Sequence, residues 1–197
     1  MNSPQAANES GLLFVISGPS GVGKTVLCNR MIQKFAPGVV YSISGTSRAP
    51  RGGEVNGQEY FFYSREAFEK DISENAFAEW AIVHGNYYGT PKSFLDEKLA
   101  NGLHVILNID VQGALKIKNA YPECILIFIM PPSMAVLEER LRGRNMDQEE
   151  ALQNRLANAR REIEFRHEYD HVLVNDDLDK AVTELADIFR KHFQMGH

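Results

Sequence analysis

Apolar residues fall along this chain in two rhythms. Unbroken runs at 12–17, 39–44, 104–110, 124–130 and 171–174 have the length and composition of strands buried on both faces. Between them, apolar positions recur at intervals of three and four, the spacing of one helix face. Val26, Leu27, Met31, Ile32 and Phe35 trace such a face after the first run, and Ala36-Pro37-Gly38 ends it. The same spacing predicts helices at 111–121, 133–142, 147–168 and 178–193. Another runs from Thr90-Pro91 to Gly102, with Pro91 suited to the first helical position. Strands alternating with helices predict an α/β fold, a parallel five-stranded sheet flanked by helices. Residues 44–90 break the rhythm with Gly, Arg, Tyr and Glu, the aromatic run Tyr60-Phe61-Phe62-Tyr63 and one helix near 64–75. They predict an inserted lobe of short antiparallel strands. Residues 1–10 are polar and are expected to form a disordered tail.

Bulk composition narrows the classes. A chain of 197 residues, 44% hydrophobic and 24% charged, fits a single soluble globular domain. A net charge of −5 favours neither nucleic acid nor an anionic membrane, so an anionic ligand needs local clusters of Arg and Lys. The two cysteines, Cys28 and Cys124, lie in apolar segments and read as small core residues. No disulfide framework or metal knuckle is suggested. No apolar run approaches the ~18 residues of a membrane span, and the N-terminus lacks a signal pattern. A cytoplasmic location is expected. Oligomeric state, monomer or homo-oligomer, stays open.

The chemistry begins directly after the first apolar run. Gly18-Pro19-Ser20-Gly21-Val22-Gly23-Lys24-Thr25 matches the phosphate-binding pattern G-x-x-x-x-G-K-[ST] at every fixed position. Glycines let successive N–H groups converge on phosphate oxygens, Lys24 adds a mobile charge, and the Thr25 hydroxyl can ligate Mg²⁺. A strand before and a helix after place the loop at a helix N-terminus, where anions are favoured. The pattern implies a bound nucleoside triphosphate. Farther along, Asp147-Gln148-Glu149-Glu150 opens a helix in capping-box style, with arginines at 140, 142, 144 and 155 around it. Charge pattern alone leaves two readings of 143–155: a solvated surface, or a mobile flap that brings guanidiniums onto phosphates.

The inserted segment carries a resemblance. Ser44-Gly-Thr-Ser-Arg48-Ala-Pro-Arg51-x-Gly-Glu54, Gly57-Gln-Glu-Tyr60, Glu79-Trp80 and Gly85-Asn-Tyr-Tyr88-Gly-Thr90 closely resemble guanylate kinase. The likeness continues through Ile109-Asp110-Val-Gln-Gly113, the Arg140, Arg144 and Arg155 series and Val174-Asn175-Asp176-Asp177, covering about 12–191. It implies a P-loop kinase core formed by 11–43 and 91–197, a GMP-binding lobe at 44–90 and a helical lid near 143–155. It also implies Mg-dependent transfer of the ATP γ-phosphoryl group to GMP, and to dGMP, giving ADP and GDP. By family position Arg48, Arg51, Tyr60 and Tyr88 take the GMP phosphate, while Ser44, Glu79, Thr90 and Asp110 select guanine. Lys24, Arg140, Arg144 and Arg155 surround the transferring group, Asn175 contacts the adenine of ATP, and Thr25 holds the metal.

These residue types suit those roles. Arginines present forked donors to phosphate. A carboxylate at Glu79 accepts from guanine N1–H and the 2-amino group, both missing from adenine. Read without the resemblance, Arg48 and Arg51 are equally a surface charge pair, the tyrosines lobe packing, and Glu79 a surface carboxylate. Three positions depart from the family pattern. Asn108 stands where an acid is usual, Val26 replaces a frequent hydroxyl, and Gly45 is expected to loosen the Ser-x-Thr-x-Arg run. The rival readings are a catalytically inactive guanylate-kinase-like binding module and a kinase for AMP, UMP or dTMP. Intact Lys24, Thr25 and arginines speak against the first, and Glu79 with Ser44 and Thr90 against the second.

Overall fold

The computed structural model describes residues 10–143 and 149–195. The expected tail, apart from Ser10, and Arg144 with the adjoining part of the expected lid lie outside the described residues.

The core is a five-stranded sheet in the order β2-β7-β1-β8-β9, every neighbouring pair parallel. Its strands are β1 (Leu13–Ser17), β2 (Val39–Tyr41), β7 (His104–Asn108), β8 (Ile125–Met130) and β9 (His171–Val174). β1 is central and buried throughout, and its alternation splits the core in two. Phe14 and Ile16 join Leu27, Met31, Leu185 and Phe189 from α1 (Lys24–Phe35) and α7 (Leu178–Met195) on one face. Leu13 and Val15 join Leu95, Val111 and Ile117 from α3 (Lys92–Ala100) and α4 (Val111–Ala120) on the other. Cys28 and Cys124 are buried and unpaired, as expected of small core residues.

Inserted between β2 and α3 is a second sheet, ordered β4-β3-β6-β5. It comprises β3 (Gly45–Thr46), β4 (Phe61–Phe62), β5 (Phe77–Val83) and β6 (Asn86–Pro91), with α2 (Arg65–Ser73) beside it. The expectation of antiparallel strands holds for β3–β6 and β5–β6 but fails for β3–β4, which run parallel. The long 47–60 connection gives the chain room to return in the same direction, which a tight hairpin would not. Gly45 is not a point of looseness either. It is buried, and a Cβ there would lie 2.8 Å from the Tyr63 ring, so the glycine admits close packing.

Boundaries moved at the residues that cap helices. Asp110 leaves β7 because its Oδ1 accepts the Gly113 N–H at 2.7 Å and caps α4. Pro91 closes β6 and caps α3 and is not the first helical residue. α5 (Met134–Arg142) and α6 (Glu149–Glu164) share a small apolar cluster of their own: Leu137, Leu141, Leu152, Leu156 and Ala159.

Candidate functional site

The phosphate loop leaves the C-terminal end of β1 and runs into α1. Gly18 (φ +142°) passes so close to β8 that a Cβ would lie 2.2 Å from the Ile129 carbonyl oxygen. Gly23 (φ +100°) caps α1, and a Cβ there would lie 2.5 Å from Asn175 Nδ2. No other residue type fits either place. The Lys24 ammonium donates to the carbonyls of Gly18 and, at 3.1 Å, Pro19. Burial pulls its pKa down, while the charges of Glu162 and Asp110 act in the opposite direction. Beside it, Asn108 Nδ2 donates to Thr25 Oγ1 at 3.4 Å. Both residues line a cavity of about 190 Å³ with Lys24 and the loop glycines.

A wider cavity of about 410 Å³ also borders the loop, walled by Gly21, Val26, Arg140, Asn175, Asp176 and Leu178. Asn175 is buried, with its side-chain amide donating to the Val22 carbonyl at 2.8 Å. Its own carbonyl accepts from Arg140 Nη1 at 2.9 Å. Asn175 therefore ties the loop to the end of β9 as well as lining the cavity, a structural duty that sequence spacing did not reveal. Arg142 is exposed and ion-paired to Glu138 at 2.8 Å and Glu149 at 3.0 Å, as a surface residue would be.

Helix α6 places Arg155, Asn158 and Glu162 on one face, since positions three, four and seven apart align. Asn158 and Glu162 border a cavity of about 310 Å³ with Asp110 and Gln112. Burial pushes the Glu162 carboxyl up, Lys24 opposes that shift, and Asp110 adds to it. Sequence reasoning missed Glu162, although its spacing from Arg155 was a usable signal.

In the lobe, Arg48 Nη1 and Nη2 donate to the two carboxylate oxygens of Glu54 at 3.0 and 2.8 Å. The guanidinium lies 5.4 Å from the Tyr60 ring centroid and 5.9 Å from that of Phe62. Tyr60 and Tyr88 meet edge to face at 5.9 Å. Arg48, Tyr60 and Tyr88 are thus gathered at one spot. The Arg51 side chain is exposed, while its backbone N–H donates to Glu54 Oε2 at 2.6 Å.

The remaining predicted residues meet where lobe and core join. The β5–β6 register sets Glu79 opposite Thr90, after a bulge between Phe77 and Glu79 that re-aims the strand. Thr90 Oγ1 donates to Glu79 Oε1 at 2.7 Å, so its hydroxyl proton holds the carboxylate and does not point toward a ligand. Burial raises the Glu79 pKa, with Asp110 adding to the rise and Thr90 and Lys116 opposing it. Gly113 lets α4 approach, since a Cβ there would already sit 3.3 Å from Glu79 Oε2. Ser44 is half-buried just before β3. A half-sheltered carboxylate thereby lies close enough to Asp110 to feel its charge, and Asp110 acts in turn on Lys24 of the phosphate loop.

The chain matches the family model described as guanylate kinase over residues 10–192. It is 50% identical over 175 residues to the guanylate kinase of Carboxydothermus hydrogenoformans, covering 89% of this chain and 85% of that protein. With the guanylate kinase of Fusobacterium nucleatum it shares 47% identity, covering 90% and 95% of the two chains. The crystal structure of guanylate kinase from Anaplasma phagocytophilum superposes with a TM-score of 0.69 at 35% identity, covering 93% of this chain and 87% of that one. Sequence and architecture agree, and the chain belongs to the guanylate kinase family.

Proposed function

We propose that this chain works as an ATP:GMP phosphotransferase through the residues gathered in its cleft. The protein is a nucleoside monophosphate kinase that binds ATP and GMP and yields ADP and GDP. The observation that carries the residue assignment is the Glu79–Thr90 pair beside Asp110 and Gly113, with Asp110 near enough to Lys24 of an intact phosphate loop to act on its charge. In our reading, loop N–H groups and Lys24 receive the ATP phosphates, with the 410 Å³ cavity taking the adenosine side. Arg48, Arg51, Tyr60 and Tyr88 hold the GMP phosphate. Glu79 accepts guanine N1–H and the 2-amino protons, with Ser44 and Asp110 at the base edge. Adenine would leave that carboxylate desolvated and unpaired.

Phosphoryl transfer asks for alignment and charge neutralisation more than covalent help. Arg140, Arg144 and Arg155 supply positive charge from α5, α6 and the stretch between them. Their closing over the cleft would exclude water as a competing acceptor. Mg²⁺ fits the donor set near Thr25. Among the described residues there is no cluster of three or more His, Cys, Asp or Glu, so no protein cage is offered. One hydroxyl with a neutral amide beside it suits an ion that keeps waters and takes its other ligands from phosphates. Thr25 would hold it, and it would neutralise charge on the β- and γ-oxygens. Lys24 and the arginines favour this reading over an inactive binding module.

The test is a coupled ADP assay with GMP, IMP, AMP and UMP as acceptors. GMP is expected to turn over fastest and IMP measurably, with AMP and UMP lower by roughly a thousandfold or more in kcat/KM. Comparable turnover of AMP would overturn the assignment of Glu79.

A further inference from the structure

Glu54 sits beside the place assigned to the GMP phosphate, where a carboxylate is electrostatically unwelcome. Its presence there calls for a reason other than charge. Its contacts supply one. The Arg48 side chain donates from Nη1 to the Ala49 carbonyl at 2.7 Å and to Glu54 Oε2 at 3.0 Å, and from Nη2 to Glu54 Oε1 at 2.8 Å. Both Nη1 protons and one Nη2 proton are thereby committed. The donors that remain are Nε–H and the second Nη2–H, which lie side by side along the other edge of the planar group. That edge is itself a two-pronged fork of the kind that matches phosphate oxygens. The Tyr88 hydroxyl interacts with the same guanidinium and favours its charge.

Glu54 also closes the turn that follows Arg51. Its Oε2 accepts the Arg51 N–H at 2.6 Å, and its own N–H donates to the Arg51 carbonyl at 3.1 Å. The pair is well sheltered, with side-chain exposures of 13% for Arg48 and 19% for Glu54. A free arginine samples many rotamers, and fixing one in advance removes that ordering loss from binding. We propose that Glu54 is a positioning residue of the phosphate arm: it grips Arg48 by one edge so that the opposite edge meets the phosphate of GMP. This rests on the assignment of Arg48 to that phosphate.

The sign of the effect separates positioning from simple electrostatics. Neutralising an acid beside an anion site would by charge alone tighten anion binding. Positioning requires the opposite. Steady-state kinetics of the wild type, Glu54→Gln and Glu54→Asp test it, with guanosine as a competitive inhibitor that lacks the phosphate. The expected result is a rise in KM for GMP of about tenfold in both variants, ATP KM unchanged and the guanosine inhibition constant unchanged. Glu54→Asp keeps the charge and loses the reach, so its loss points to geometry. Unchanged or tighter GMP binding in Glu54→Gln would overturn the proposal. Equal losses of guanosine and GMP would assign Glu54 to lobe folding and overturn it too. A wild type that binds guanosine as tightly as GMP would instead overturn the reading on which it rests, the assignment of Arg48 to the phosphate.

Discussion

At the scale of single residues, the most consequential contact is the Thr90 hydroxyl on Glu79. Thr90 favours the charged carboxylate, while burial and Asp110 favour the protonated one. Recognition of guanine by acceptance needs the charged form. The affinity for GMP should therefore fall as pH drops through the raised Glu79 pKa. Thr90→Val removes a stabiliser of the carboxylate, so the fall should begin at higher pH. Near neutrality KM for GMP should rise about tenfold, the expected loss for a hydrogen bond to a charged group. ATP KM in the variant should match the wild type at each pH, and pH-resolved kinetics check both. The phosphate loop was legible from residue type and spacing, because local backbone chemistry selects Gly and Lys there, whereas the lobe arginines by spacing alone read equally as a surface charge pair. The Thr90–Glu79 bond and the Asn175–Val22 tie were not legible. Each joins residues whose meeting depends on strand register or on the path of a distant strand.

At the scale of elements, the phosphate loop is only as firm as the helices behind it. Phe189 of α7 stacks on Phe14 of β1 at 3.8 Å between ring centroids and lies 5.8 Å from Phe35 of α1. It thus bridges the strand and the helix that bracket the loop. Phe189→Ala should lower unfolding stability by about 3–5 kcal/mol, read from urea denaturation midpoints. A loss well below 1 kcal/mol would mean that α7 does not brace the core as its packing indicates. The core strands and helices could be read from hydrophobic period alone to within a few residues. Errors clustered at ends where Asp110 and Pro91 act as caps: the Asp110 side chain takes the Gly113 N–H, while Pro91 ends β6 and precedes α3 with no side-chain bond. The parallel β3–β4 pair escaped because two-residue strands leave no period to read.

At the scale of the whole molecule, a histidine pair joins the edge strand to the last helix. His171 of β9 and His192 of α7 face one another with Nε2 atoms 2.8 Å apart. Burial depresses both imidazoles below their ordinary 6.5; Lys191 adds to this, and Asp170 opposes it. His104, whose Nδ1 accepts the Leu12 N–H at 2.9 Å, is depressed by burial as well. A group with a lowered folded pKa contributes stability above its unfolded pKa and loses it as pH falls through the folded value. Stability should therefore decline as pH drops below about 6.5, the ordinary imidazole value. His192→Asn should flatten that slope in urea melts between neutral and mildly acidic pH, and an unchanged slope would exclude the pair as its source. Among the described residues no helix is long and apolar enough to cross a membrane. The succession of strands and helices and the phosphate loop follow from residues close together in the chain, since period, turn chemistry and helix termini are local. Which edge of Arg48 is held, what Thr90 donates to, and how Lys24, Asp110 and Glu162 share one field were settled only when separate segments packed. Side-chain pairing and burial are properties of the assembled neighbourhood, and no stretch of sequence contains that neighbourhood by itself.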